Sequence, residues 1–216
     1  MQKKREIQSS TRYFLSFLIG TLIFLLGFVI VYSVYYLEYQ KILQKQTEMS
    51  YDIFEDKLKY SLFDEDICSE GAYEDISEDL AFQGDLIFKL EEQLGKYDKN
   101  VIERKKFYSL ILVEHFDFVK YLEQNCNFSM NTILFFYSND KELIAQSDEL
   151  GRILSVVYTR NPEDVVIYSF DVNLDSDLTR ILKEKYNVTE APMVIINEKD
   201  RLYGINNINN IEGYLN

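Results

Sequence analysis

Thr189-Glu190-Ala191-Pro192-Met193-Val194-Ile195-Ile196 sets a proline directly before four consecutive apolar residues. A short apolar run bounded by turn residues reads as a buried strand. Asn197 to Asp200 then reverse the chain, and Arg201 to Ile205 (RLYGI) return it, so the two runs form a hairpin. On the N-terminal side, Ser176 is of a type that caps helices, and the helix it opens reaches about Tyr186. Before it, Val165 to Phe170 (VVIYSF) is a second buried strand, followed by a loop from Asp171 to Asp175. Lys141 to about Thr159 reads as helical and is closed by Asn161-Pro162. Thr132 to Tyr137 (TILFFY), bounded by Ser138, Asn139 and Asp140, is the first strand, and a last helix runs from about Asn209 to Leu215. The order is β-α-β-α-β-β-α, an α/β pattern over residues 129–216. A strand-helix-strand unit makes a right-handed parallel crossover, and the terminal hairpin adds antiparallel strands, giving a mixed four-stranded sheet.

Further upstream the period changes to that of helices. From about Val101 to Asn125, Phe107, Leu110, Ile111, Phe118, Val119 and Leu122 form a broad apolar face. From about Tyr73 to Leu94, Ile76, Leu80, Ile87, Leu90 and Leu94 do the same, and Gly95 with Lys96 supplies a C-terminal stop. Residues 73–128 are therefore expected to be a helical hairpin packed on the sheet. Residues 38–72 read as a stalk helix, with Ile42, Tyr51, Phe54, Leu58 and Leu62 at mostly helical spacing, leading into an acidic segment. That segment holds Asp64, Glu65, Asp66, Glu70, Glu74, Asp75, Glu78 and Asp79. It lacks the ligand spacing and central glycine of a calcium loop, so it is expected to be a solvated acidic face.

Residues 13 to 37 carry no charge, and most of them are Leu, Ile, Val, Phe or Tyr. A helix of that length rises about 37 Å, enough to cross a hydrocarbon core of about 30 Å with some tilt. A buried helix of a soluble domain would need an apolar environment on every face, which a chain of this size cannot supply. A cleaved signal peptide would have a shorter apolar region ending in a small-x-small site, and here the run leaves through Val34, Tyr35 and Tyr36. Lys3, Lys4, Arg5 and Arg12 precede the span with Glu6 alone against them, which places residues 1–12 in the cytoplasm and everything from Glu38 onward outside. The expected location is a single-pass anchor in the cell membrane, held by lipid through residues 13–37.

The 216 residues contain 23 Lys plus Arg and 36 Asp plus Glu, a net charge of −13. Setting aside the tail, with its four basic residues and one acidic, leaves −16 on the outer part. Such a surface repels phosphate backbones, which excludes a nucleic-acid partner. With 47% apolar residues, 17 Tyr and 15 Phe, the chain can bury a core and is not a disordered one.

The element order and the proline before the third strand resemble the thioredoxin-like fold. The segments Asp171-Val172-Asn173, Tyr186-Asn187-Val188 and Tyr203-Gly204-Ile205 are also similar to that family. The likeness covers residues 131–216, and the whole layout of anchor, helical hairpin and terminal domain resembles membrane-anchored thioredoxin-like proteins of archaea. It implies that Pro192 is a cis-proline beside a functional groove. It also implies a Cys-x-x-Cys motif between the first strand and its helix, where a helix N-terminus helps generate an attacking thiolate. Here that place reads Tyr137-Ser138-Asn139-Asp140-Lys141-Glu142-Leu143, with no cysteine. The resemblance therefore implies a redox-inactive groove, formed by Ala191, Pro192 and the loop Ser138, Asn139, Asp140 and Lys141, that holds an extended peptide by backbone pairing.

Cys68 and Cys126 are the two thiols of the chain. On the outer side a disulfide between them would close a long loop and join the acidic segment to the end of the helical hairpin. Free buried thiols and a reactive pair are the alternatives. His115, the one histidine, lies on an apolar helix and is expected to be packed rather than to bind zinc, since three or four ligands are required. No metal or cofactor motif stands out. Asn127-Phe128-Ser129 and Asn187-Val188-Thr189 have the spacing of N-glycosylation acceptors, but a chain with this content of Asn, Ser and Thr carries about that number by chance. The sequence leads to a binding or scaffold module for exported proteins. Its rivals are a thiol-disulfide exchange protein using Cys68 and Cys126, and a structural subunit of a membrane complex.

Overall fold

A computed structural model of the chain describes residues 3–63, 68 and 70–215; within its helices the side chains at 3–9, 45, 46, 49, 50, 52–54, 56–63, 70–72, 74–76 and 79 are not described. The expected contacts of Phe54, Leu58, Leu62 and Ile76, and the acidic residues Asp64, Glu65, Asp66, Glu70, Glu74, Asp75 and Asp79, lie outside the described side chains. Two compact units are present, residues 1–44 and 45–216. The first is built on α1, which runs without interruption over Lys3–Phe63. Within α1, Ser10–Gln44 contains an 18-residue stretch with a mean hydropathy of 2.8 and is long and apolar enough to cross a membrane. Over residues 13–37 its Leu, Ile, Val and Phe side chains stand exposed all round, as a lipid-facing helix requires, while Ile42 beyond them is buried.

The second unit is a mixed four-stranded sheet with helices on both faces. α2 (Glu70–Leu94) and α3 (Lys99–Asn125) precede β1 (Asn131–Tyr137), α4 (Ile144–Arg160) and β2 (Val165–Asp171). Then come α5 (Asp177–Lys185), β3 (Met193–Ile196), β4 (Asp200–Tyr203) and α6 (Ile208–Glu212). The spatial order is β2-β1-β3-β4. β1 and β2 are parallel, as the intervening helix demands, while β3 lies antiparallel to both β1 and β4.

Alternation along the strands splits the core in two. Leu134, Phe136, Tyr168, Phe170, Met193 and Ile195 pack with α2, α3 and α5 on one face. Ile133, Phe135, Val165, Val194 and Ile196 pack with α4 and α6 on the other. The helical hairpin thus shares its core with the sheet. Gly95 ends α2 at a φ of 91°, where a side chain would be strained, and its N–H reaches the Glu91 carbonyl at 2.8 Å. Asp98 opens α3 by accepting from the N–H groups of Asn100 and Val101. Ser176 caps α5 by accepting from the Thr179 N–H at 3.1 Å.

Several expectations need correction. Leu110 is not on the buried face of α3 but exposed, because the buried stripe runs through Val101, Lys105, Leu112, Phe116 and Val119. α4 begins at Ile144 rather than Lys141, since Leu143 and Ile144 both donate to the Asp140 carbonyl and hold residues 141–143 in a turn. β4 stops at Tyr203, because Gly204 takes a φ of 66° and leaves the strand. The last helix occupies Ile208–Glu212, earlier and shorter than expected, with Asn207 as its cap.

Candidate functional site

The C-terminal end of β1, the loop after β2 and the approach to β3 meet around one open cleft of about 490 Å³. Its wall includes Ser138 and Asp140 on one side and Ala191 and Pro192 on the other, with Asn173 and Val188 between. These four expected residues are therefore brought together. Asn139 and Lys141 are not in the wall: Asn139 is buried beneath the loop, and Lys141 is exposed.

The loop holds its shape through Asn173. Asn173 Oδ1 accepts from the Ser138 hydroxyl at 3.0 Å and from the Asn139 N–H at 2.7 Å. Its amide nitrogen donates to Asp140 Oδ2 at 2.9 Å. The Ser138 N–H donates to Ser147 Oγ at 3.0 Å, which fixes the loop to α4. On the opposite wall the Ala191–Pro192 peptide bond is cis, and the Pro192 carbonyl accepts from the Gly204 N–H at 2.9 Å. Thr189, Glu190 and Ala191 make no backbone hydrogen bond among the described residues, so their N–H and C=O groups border the cleft unpaired. Unpaired backbone groups beside an open cleft are suited to pairing with an extended chain.

Beneath the loop lies a buried ionic cluster that the sequence reading missed. Lys105 of α3 is 5% exposed and sits between Asp171, to which it donates a short hydrogen bond, and Glu91 at 2.7 Å. Asp171 also accepts from the Asn139 side-chain amide at 2.6 Å and from the Asn173 N–H at 2.9 Å. Burial alone would lower the lysine's pKa, but the Asp171 and Glu91 carboxylates around it raise it above the ordinary value. Burial pushes the phenols of Tyr137 and Tyr108 up as well, so both stay neutral. The cluster is a structural support for the loop, in which one ammonium is held between two carboxylates.

The other expected chemistry lies elsewhere. Cys68 and Cys126 are joined by a disulfide that ties the start of the helical hairpin to the end of α3. Neither lines the cleft. His115 is fully buried, with Nδ1 2.9 Å from the Tyr168 hydroxyl and Nε2 3.2 Å from the Ser77 hydroxyl. Desolvation lowers its pKa to about 4, so the ring is neutral and links α2, α3 and β2. Among the described residues no group of three or more His, Cys, Asp or Glu is placed to hold a metal ion.

One local signal for the ionic cluster was present. Lys105 falls four residues after Val101 on the stripe that continues through Leu112 and Phe116, a place where a lysine needs a buried partner. No protein-family model matches the chain, and no curated protein matches it.

Proposed function

We propose that this chain is a single-pass membrane protein whose outer part is a thioredoxin-like domain, redox-inactive at its groove, that holds extended segments of exported proteins. Lys3, Lys4, Arg5 and Arg12 before the span support an N-terminus in the cytoplasm. The fold reading is supported by the β2-β1-β3-β4 order with a parallel first pair and by the position of Pro192 across from the loop after β1. The observation that carries the function is the cleft bounded by Ser138, Asp140, Ala191 and Pro192, where a strip of unpaired backbone faces a loop without cysteine.

The test uses the full chain in lipid nanodiscs with a reduced, carboxymethylated protein as the extended ligand. Binding that falls about tenfold in Ala191→Pro, which removes one of the unpaired N–H groups, supports the reading. Binding unchanged by that substitution refutes it. Insulin reduction by the same preparation addresses the rival reading, which the exposure of Cys68 favours: turnover lost in Cys68→Ser with Cys126→Ser would make the chain a thiol-disulfide exchange protein.

A further inference from the structure

The two edges of the sheet are treated differently. β4, on one edge, has four residues, includes Asp200 and Arg201, and is cut short by Gly204. Short length and charge are the usual defences of an edge strand. β2, on the other edge, has seven residues, VVIYSFD, with no lysine and no proline, and among the described residues pairs with β1 alone. The Asn131 N–H donates to the Asp164 carbonyl and the Val172 N–H to the Tyr137 carbonyl, so the even-numbered residues of β2 bond to β1. The backbone groups of Ile167 and Ser169 consequently point away from the sheet and have no hydrogen bond among the described residues.

This edge forms the floor of a cleft of about 610 Å³. α2 contributes Tyr73, Ser77 and Ala81 to one wall, and α4 contributes Leu154 and Tyr158 to the other. Ile167 is half-buried in the floor and Ser169 is exposed. A strand added between these walls would lie at the usual spacing of about 4.8 Å from β2. A second copy of β2 would bring its own α2 and α4 up against these walls, whereas a lone extended segment carries no such helices. Charge narrows the occupant further. Glu78 lines the cleft, Glu163 and Asp164 lie just before β2, no lysine or arginine lines it, and no ion pair engages these acids among the described residues.

We propose that the β2 edge is a second binding site, which takes an extended protein segment with alternating apolar side chains and flanking lysine or arginine as a fifth strand. Its donors are the Ile167 and Ser169 N–H groups, its acceptors include their carbonyls, and the acidic rim receives the basic flank. The site is separate from the cleft at Pro192 and does not depend on its reading.

The probe is a synthetic peptide of alternating valine and threonine with lysine at both ends, added to the full chain in nanodiscs. Amide hydrogen exchange at Ile167 and Ser169 is expected to slow about tenfold or more on binding. A peptide methylated on alternate backbone nitrogens is expected to bind at least about tenfold more weakly, as is the same peptide with glutamate in place of lysine. Ser169→Pro removes one outward donor without touching the β1 ladder and should act likewise. The methylated peptide tests the same contact with the protein unaltered. Equal binding of plain and methylated peptides would overturn the proposal. So would protection confined to residues outside β2, or self-association of the chain through this edge in place of peptide binding.

Discussion

His115 is fully buried, and among the described residues its hydrogen-bonding partners are the hydroxyls of Ser77 and Tyr168. Neither can compensate a positive charge, which is why burial lowers its pKa from 6.5 to about 4. In the unfolded chain the same ring takes up a proton near its ordinary value. Between those two values the unfolded state binds more protons than the folded one, so stability is complete above pH 6.5 and is lost as the pH falls toward 4. The full difference of about 2.5 pH units corresponds to about 3 kcal/mol, of which about 2 kcal/mol is lost between about pH 7.5 and about pH 5. Urea unfolding of the full chain in nanodiscs measures this. The chain has no tryptophan, so near-ultraviolet circular dichroism of the packed tyrosines is the probe. His115→Gln keeps hydrogen-bonding capacity but cannot titrate. Carboxylates titrate equally in both proteins and cancel in the comparison. The variant should therefore lose about 2 kcal/mol less than the parent over the same interval. Equal losses in the two proteins would refute the assignment of His115 as a neutral, buried base.

Three further outcomes are expected. Lys105→Met leaves Asp171 and Glu91 buried without their cation and should cost about 3–5 kcal/mol in the same assay, with part of the loss recovered in Lys105→Met with Asp171→Asn; additive losses would contradict the cluster. Cys68→Ser with Cys126→Ser opens a loop with a sequence separation of 58, and should cost about 4 kcal/mol, a loss that reduction of the parent reproduces. Asn173→Ala removes three hydrogen bonds from the loop and should weaken the binding of carboxymethylated protein about tenfold, at a stability cost of about 1–3 kcal/mol read by thermal unfolding; unchanged binding would detach the loop from the site.

What the sequence makes legible follows from the range of the physics involved. Strands such as Asn131–Tyr137 and Met193–Ile196 announce themselves because burial on both faces requires an apolar run, ILFFY in the first and MVII in the second. The stop at Gly95 and the cap at Ser176 are equally local, each depending on one residue type at one place. The boundaries that shifted depend on a competing local device. At Lys141 the periodicity of a helix is present, but the Asp140 carbonyl captures two N–H groups and delays it. At Leu110 a broad apolar face has two borders, and periodicity alone does not say which one meets the sheet. The ionic cluster is harder to see because its members are scattered: Glu91 lies 14 residues from Lys105 and Asp171 lies 66 away. A lysine on an apolar stripe signals that a partner exists, and only the tertiary fold identifies it.

That distance in sequence is also what gives the cluster its structural consequence. Glu91 belongs to α2, Lys105 to α3 and Asp171 to β2, so one buried cation joins the helical hairpin to the sheet. From Asp171 the contacts continue through Asn139 and Asn173 to Ser138 and Asp140 at the lip of the cleft. A loop held only by its own backbone would be free to close over the unpaired edge of Thr189 to Ala191. Anchored from below by a charge whose desolvation is offset only in this arrangement, it is held open. The helical hairpin therefore does more than cover one face of the sheet: through Lys105 it sets the position of one wall of the cleft at Pro192, and the Cys68–Cys126 bond fastens the opposite end of the same hairpin.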